Sequence, residues 1–197
     1  MAKRAFDLVC SIPGIVILSP LLLVVALAVR LSSPGPVIFR SRRVGRNGRE
    51  FDLLKFRTMT KEAPQTGPAI TFGRDPRITP LGALLRSTKI DELPQLLNVV
   101  LGQMSLVGPR PEVPEYVRLY TSEQRAVLNL MPGITDPASI KYARESELLG
   151  ESEDPETHYV QHVMPDKIRL NLEYAARANV WTDFLLILKT LIKITGR

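Results

Sequence analysis

The sequence predicts a mixed, mostly helical α/β protein held in one face of a membrane, with an N-terminal re-entrant helix, a β-hairpin and interfacial amphipathic helices. Three observations lead there. From Leu8 to Val29 no residue is charged, a run of 22, and Ser19-Pro20 stands in its middle. Two strand-like stretches, 37–44 and 50–56, flank the turn pair Asn47-Gly48. Apolar residues recur at helical spacing over 93–101 and at nearly every turn of 181–194.

The apolar run is long enough to cross a bilayer as one straight helix. Pro20 argues against that path. It cannot donate to the carbonyl of Val16 and its ring clashes there, so a kink is expected, with Ser19 able to bond back to a freed carbonyl. Each arm would rise roughly 16 Å, about half the hydrocarbon thickness. Charges agree: Lys3 and Arg4 precede the run, and Arg30, Arg40, Arg42, Arg43, Arg46 and Arg49 follow it. A spanning helix puts one basic group on the wrong side, whereas a helix that enters and leaves on the cytoplasmic face satisfies both. The alternatives are a spanning anchor with a tolerated proline and a cleaved signal peptide, for which the apolar run is too long.

Pro34-Gly35-Pro36 is a stiff exit loop, and the hairpin follows it. Residues 60–80, rich in Pro, Gly and Thr, read as loop, and 81–86 as a short amphipathic piece for the membrane interface. Residues 116–130 read as a helix leading into a Pro132-Gly133 turn, and 145–156 as an acidic, solvated helix end and loop. His158 and His162 have i, i+4 spacing but no convincing third ligand. In 181–194, Trp181 is placed as an interfacial ring, with a core helix as the alternative.

A chain of 197 residues suits one domain, with 1–31 as the membrane helix and 32–197 as the remainder. The single Cys10 makes no disulfide framework and suits a cytoplasmic face. Residues 1–61 carry eleven Lys/Arg against three Asp/Glu, whereas the whole chain is only +6, so the basic excess lies beside the apolar run. That placement reads as a surface held against anionic lipid headgroups. Nucleic acid is the rival partner for basic charge, but no nucleic-acid motif accompanies it.

The chemistry concentrates in 91–111. Leu93, Leu96, Leu97, Val100 and Leu101 define a helix with one buried stripe, closed by Gly102, and Pro94 is tolerable only in its first turn. Asp91 is then expected at or near the N-cap, where free N–H groups and the dipole favour a carboxylate and attract phosphate. In Gly108-Pro109-Arg110-Pro111 the prolines restrict the backbone around an arginine suited to bidentate phosphate recognition. Taken singly, these are an ordinary capping Asp and a solvated loop Arg; together they point to phosphate chemistry.

At this point the sequence resembles the bacterial sugar transferases, the monotopic polyprenyl-phosphate phosphoglycosyl transferases. Lys55-Phe56-Arg57-Thr58-Met59, Asp91-Glu92-Leu93-Pro94-Gln95, Met104 to Pro111, Pro132-Gly133-Ile134-Thr135, Asp183 and Leu188-Lys189-Thr190 carry the resemblance, in family order over nearly the whole chain. Two places depart from it: Gln103 stands where the family usually has an acid, and Asp136 to Tyr142 replaces the usual stretch after Pro-Gly-Ile-Thr. The resemblance implies transfer of a sugar-1-phosphate from a UDP-sugar to polyprenyl phosphate, with Asp91 as nucleophile and Glu92 assisting the acceptor or metal. It implies Mg²⁺ on Asp91 and Glu92, phosphate held by Arg110, and a site completed by Lys55, Arg57 and Asp183. It also implies the Ser19-Pro20 membrane break and a catalytic part, 32–197, on the cytoplasmic face of the bacterial inner membrane. A homo-oligomer stays open, as does the identity of the sugar. The rival readings are a catalytically silent membrane scaffold of a polysaccharide assembly and a basic lipid-binding module.

Overall fold

The computed structural model describes residues 2–61, 63 and 75–195. Most of the expected 60–80 loop therefore lies outside the described residues.

Helix α1 (Ala2–Ser32) is one helix with Pro13 and Pro20 inside it. Ser19 Oγ donates to Val16 O at 2.8 Å, the carbonyl that Pro20 leaves without its usual donor. The helix lies on the rest of the protein by one stripe, with Asp7, Ser11, Val25 and Val29 buried, and turns Val9, Val16, Ile17, Leu23 and Leu27 outward. Both ends are fastened to the same body. At the start, Lys3 bonds Asp183 at 2.5 Å, Arg4 caps the Val99 and Val100 carbonyls, and Asp7 accepts from Ser105 Oγ and Leu106 N–H. At the other end, Val25 and Val29 pack with Phe56 and Leu85.

Strands β1 (Ile38–Val44) and β2 (Glu50–Phe56) pair antiparallel, with Val44 opposite Glu50. The connection is the loop 45–49 left between the two expected strands, and in it Asn47 and Gly48 take the left-handed φ values, 58° and 74°, expected of that pair. Helix α2 (Pro80–Ser87) starts at Thr79, whose hydroxyl accepts from Gly82 N–H. Gly82 lies so close to Thr58 that an added Cβ would stand 2.0 Å from its carbonyl oxygen.

The 91–101 segment differs from expectation in two ways. Asp91 sits in a 3₁₀ turn, Ile90–Glu92, entered through a left-handed Lys89, and the helix proper, α3 (Gln95–Val100), begins later with Pro94 as its cap residue. The face is also inverted. Gln95, Asn98 and Val99 are buried, whereas Leu97 and Leu101 are 46% and 68% exposed. Asn98 explains the inversion: its amide donates to Asp52 O and its oxygen accepts from Leu54 N–H, satisfying the open edge of β2. Gln103 Oε1 accepts from the same amide. Gly102 at φ 77° closes the helix as expected.

Strand β3 (Ser105–Val107) pairs in parallel with β4 (Gly133–Thr135), so Pro-Gly-Ile-Thr is a strand and not only a turn. Between them, 116–130 is broken: α4 (Pro114–Val117) is followed by a 3₁₀ segment, Gln124–Asn129. Helices α5 (Pro137–Lys141), α6 (Glu145–Gly150), α7 (Pro155–His158), α8 (Met164–Ala175) and α9 (Val180–Thr195) complete the chain, with a π-helical segment, Tyr159–Val163, before α8. The last lobe has its own core of Val113, Tyr116, Val127, Leu149, Tyr159, Val163, Met164 and Ile168. Helix α9 buries Asp183 and Leu186 but exposes Trp181, stacked on Phe184, together with Leu191 and Ile192.

Candidate active site

Three elements converge on the Asp91-Glu92 turn. Strand β2 brings Lys55, whose Nζ donates to Glu92 Oε1 at 3.1 Å. The loop after β3 brings Arg110, whose two Nη groups bond Glu92 at 3.0 and 2.5 Å. The loop is seated by glycines: a Cβ on Gly108 would stand 2.2 Å from Met131 O, and one on Gly133 2.1 Å from Gly108 N, so only paired glycines permit this approach. Asp136, buried at the start of α5, accepts from Arg110 N–H and from Ser139, and so holds the Arg110 backbone.

Environment separates the two adjacent carboxyls. Burial, then the neighbouring Glu92, raises Asp91 above the ordinary carboxylate value, while Lys55, Lys89 and Arg86 oppose the rise. Burial would raise Glu92 as well, but Arg110 and Lys55 hold it well below that range. Burial likewise lowers Lys55 to about 8, against the pull of Glu92. Glu92 raises Arg110. One carboxyl is thus fixed as an anion inside an ion pair. The other, 5% exposed, keeps Oδ1 without a hydrogen-bond partner. Two groups pushed apart in this way are suited to different roles.

The donor set fits a Mg²⁺ ion of the kind held by one or two carboxylates and completed by substrate phosphates. Asp91 Oδ1, which has no hydrogen-bond partner, would be the open ligand, and Glu92 would join it by yielding part of its bond to Arg110. Among the described residues no group of three or more His, Cys, Asp or Glu could hold a metal by itself, which leaves His158 and His162 as a ring pair at 5.1 Å.

Two expected site residues go elsewhere. Arg57 bonds Val29 O, Ser33 O and Pro36 O, fastening the exit of α1, and its described bonds do not reach Glu92 or Arg110. Asp183 pairs with Lys3 and accepts from Tyr174 at 2.9 Å, which ties it to the entry of α1. Conversely, Arg43, in the sequence only one of the basic residues after the apolar run, reaches the Arg110 loop, with Nη1 3.4 Å from Pro111 O and Glu112 Oε1. The signal for it was register: Arg43 and Lys55 fall on one face of the hairpin. Asp136 was noted only as a departure from the family pattern.

The family model for bacterial sugar transferases matches residues 1–197. A Caulobacter vibrioides protein named UDP-glucose:undecaprenyl-phosphate glucose-1-phosphate transferase is 37% identical over 195 residues, covering 96% of this chain and 68% of its own length. An Escherichia coli K12 protein of the same name is 37% identical over 98% of this chain, which spans 40% of that protein. An Aeromonas hydrophila protein named UDP-N-acetylgalactosamine-undecaprenyl-phosphate N-acetylgalactosaminephosphotransferase is 34% identical over 96% of this chain and 42% of its own length. The match runs through the Asp91-Glu92 turn and the Arg110 loop alike, and with these the chain belongs to the bacterial sugar transferase family.

Proposed function

We propose that the protein transfers a sugar-1-phosphate from a UDP-sugar to polyprenyl phosphate, giving polyprenyl-diphosphate sugar and UMP. The observation that carries this reading is a buried Asp91 oxygen without a partner, next to a Glu92 clamped by Arg110 and Lys55. A nucleophile needs a free lone pair, and a diphosphate needs cations. The names of the relatives support a nucleotide-sugar donor and an undecaprenyl phosphate acceptor. Two relatives named as exopolysaccharide production proteins support a place in exopolysaccharide production.

In this mechanism an Asp91 oxygen attacks the sugar-bearing phosphorus, the bond from that phosphorus to the bridging oxygen breaks, and UMP departs with the bond electrons. A phosphate oxygen of the polyprenyl lipid then attacks the same phosphorus, and Asp91 leaves as carboxylate. Arg110 and Lys55 hold phosphate oxygens and offset the charge that would repel an anionic nucleophile. Glu92 keeps both cations in place and assists the acceptor. Bound Mg²⁺ would supply further neutralisation of the diphosphate and polarise the attacked phosphorus.

The same reading has the protein monotopic, on the cytoplasmic face of the bacterial inner membrane, where the lipid phosphate lies. Both ends of α1 fasten to one body, which supports entry and exit on a single side. Leu97 and Leu101 of α3 and Leu188, Leu191 and Ile192 of α9 are likewise exposed, on two helices that contact α1.

The test omits the lipid. Enzyme with UDP-sugar and Mg²⁺ alone should release about one UMP per site and gain the mass of one sugar phosphate, lost again on adding acceptor. Absence of the adduct under quenched conditions, in an enzyme that turns over with acceptor present, would leave Asp91 as a metal ligand only.

A further inference from the structure

Arg43 is a cation that the proposed mechanism leaves unused. It shares a hairpin face with Lys55: Phe39 pairs with Lys55, Ser41 with Leu53 and Arg43 with Phe51. Ser41 Oγ accepts from Arg43 Nε at 3.1 Å. The other partners are distant, since Nη1 lies 3.4 Å from both Pro111 O and Glu112 Oε1. Glu112 is itself divided, accepting from Val113 N–H and from the Tyr159 hydroxyl. Its bonds among the described residues use Nε and Nη1 alone, and Nη2 is not among the buried atoms without a partner, so this edge of a side chain only 19% exposed opens to solvent.

The charges around it are also unbalanced. Burial lowers Arg43 from the ordinary arginine value; Glu112 opposes the fall and Arg110 adds to it. Arg110 and Arg43 both press Lys55 down. Three largely buried cations therefore belong to one region, Arg43 and Lys55 on one hairpin face and Arg43 Nη1 beside Pro111, the neighbour of Arg110. Glu92 bonds two of them; the third has a neutral partner, Ser41 Oγ, at 3.1 Å, and reaches its only carboxylate, Glu112, at 3.4 Å. A desolvated cation held this loosely is costly unless an anion joins it, and a guanidinium with a free edge is shaped for phosphate oxygens.

We infer that Arg43 is a third phosphate-binding residue of the site, its free edge taking an oxygen of a substrate phosphate beside Arg110 and Lys55. The inference rests on the proposed function for the identity of the substrate. The phosphate is either the donor diphosphate or the lipid monophosphate, and the two share this chemistry.

Inorganic pyrophosphate is the probe for binding, read by thermal shift of the full chain in detergent. Wild type should be stabilised, Arg43→Gln should weaken the apparent affinity about tenfold, and Arg43→Lys, which keeps charge but loses the fork, about threefold. Glu112→Gln should leave the affinity nearly unchanged. If Arg43→Lys binds pyrophosphate as wild type does, or Glu112→Gln reproduces the loss, Arg43 is a brace for the 111–112 loop and the inference is overturned. Should Arg43→Gln fail to fold, Arg43→Lys decides. In turnover, a raised KM for the UDP-sugar assigns the donor phosphate and a raised KM for polyprenyl phosphate the acceptor; neither moving overturns the assignment. A wild type that binds pyrophosphate but releases no UMP from any UDP-sugar sinks the proposed function and leaves the anion site standing.

Discussion

Arg110 grips Glu92 with both Nη groups, at 3.0 and 2.5 Å, and Lys55 joins the same carboxylate at 3.1 Å. The arginine proposed to hold a phosphate already holds a carboxylate of similar geometry. In the proposed mechanism substrate phosphate would therefore compete with Glu92, and the carboxylate it displaced would be free to meet a metal or the acceptor.

Glu92→Gln should lose most turnover and also about 3 kcal/mol of stability, because it leaves two largely buried cations facing each other without their anion. Adding Lys55→Met should recover stability without activity. Thermal melting beside UMP release checks both, and an unaltered melting temperature in the single variant would contradict the pairing.

Asp91→Asn should abolish turnover and leave the fold as stable as wild type or slightly more so. Burial disfavours the charge of Asp91, and its Oδ1 has no bond to lose. Measurement requires protein freshly purified and checked by mass for deamidation. Wild-type turnover would dismiss Asp91 as nucleophile.

The pH profile of kcat/KM should be bell-shaped and displaced from ordinary carboxylates. Asp91 must be ionised, and its value is raised, so the rising limb lies above the usual 3.8. Lys55 must be protonated, and its value is lowered, so activity falls as pH rises through about 8. Lys55→Arg should remove that falling limb; its persistence would assign the limb to another group.

Pro20→Ala should let the apolar run straighten into a span and move part of the N-terminal population to the periplasmic side. Labelling of a cysteine near Lys3, in a Cys10→Ser background, reads this directly. An outside N-terminus in wild type would end the re-entrant reading.

The parts legible in the sequence are those set by nearest neighbours. Ser19 bonding back to Val16, left-handed Asn47-Gly48 and Gly102 closing its helix all follow from backbone chemistry within a few residues. The parts that were not legible depend on which neighbour a face meets. Periodicity found the leucine stripe of 93–101 but could not say that β2 offers an open edge needing Asn98, which turns the leucines outward. Pairing of β3 with β4 involves three residues each, too few for a period, and Gly108 facing Gly133 is intelligible only once the two are adjacent. Within the site, Lys55, Asp91, Glu92 and Arg110 stand in one electrostatic cluster, whereas Arg57 and Asp183 hold the two ends of α1. A family motif names such residues together without saying which of them bond one another and which bond α1.

Lys3 and Asp183 are 180 positions apart, and Arg4 and Asp7 find their partners only after residue 98. A ribosome adding 5–20 residues each second needs about 10–40 s to make Asp183 after Lys3. For the later part of that interval the first helix has been made and released without the contacts that later fasten its start. In the proposed membrane reading its orientation in the lipid would then be kept by Pro20 and the basic flanks, and the Lys3–Asp183 bond would act afterwards, as a bolt closed on a position already taken.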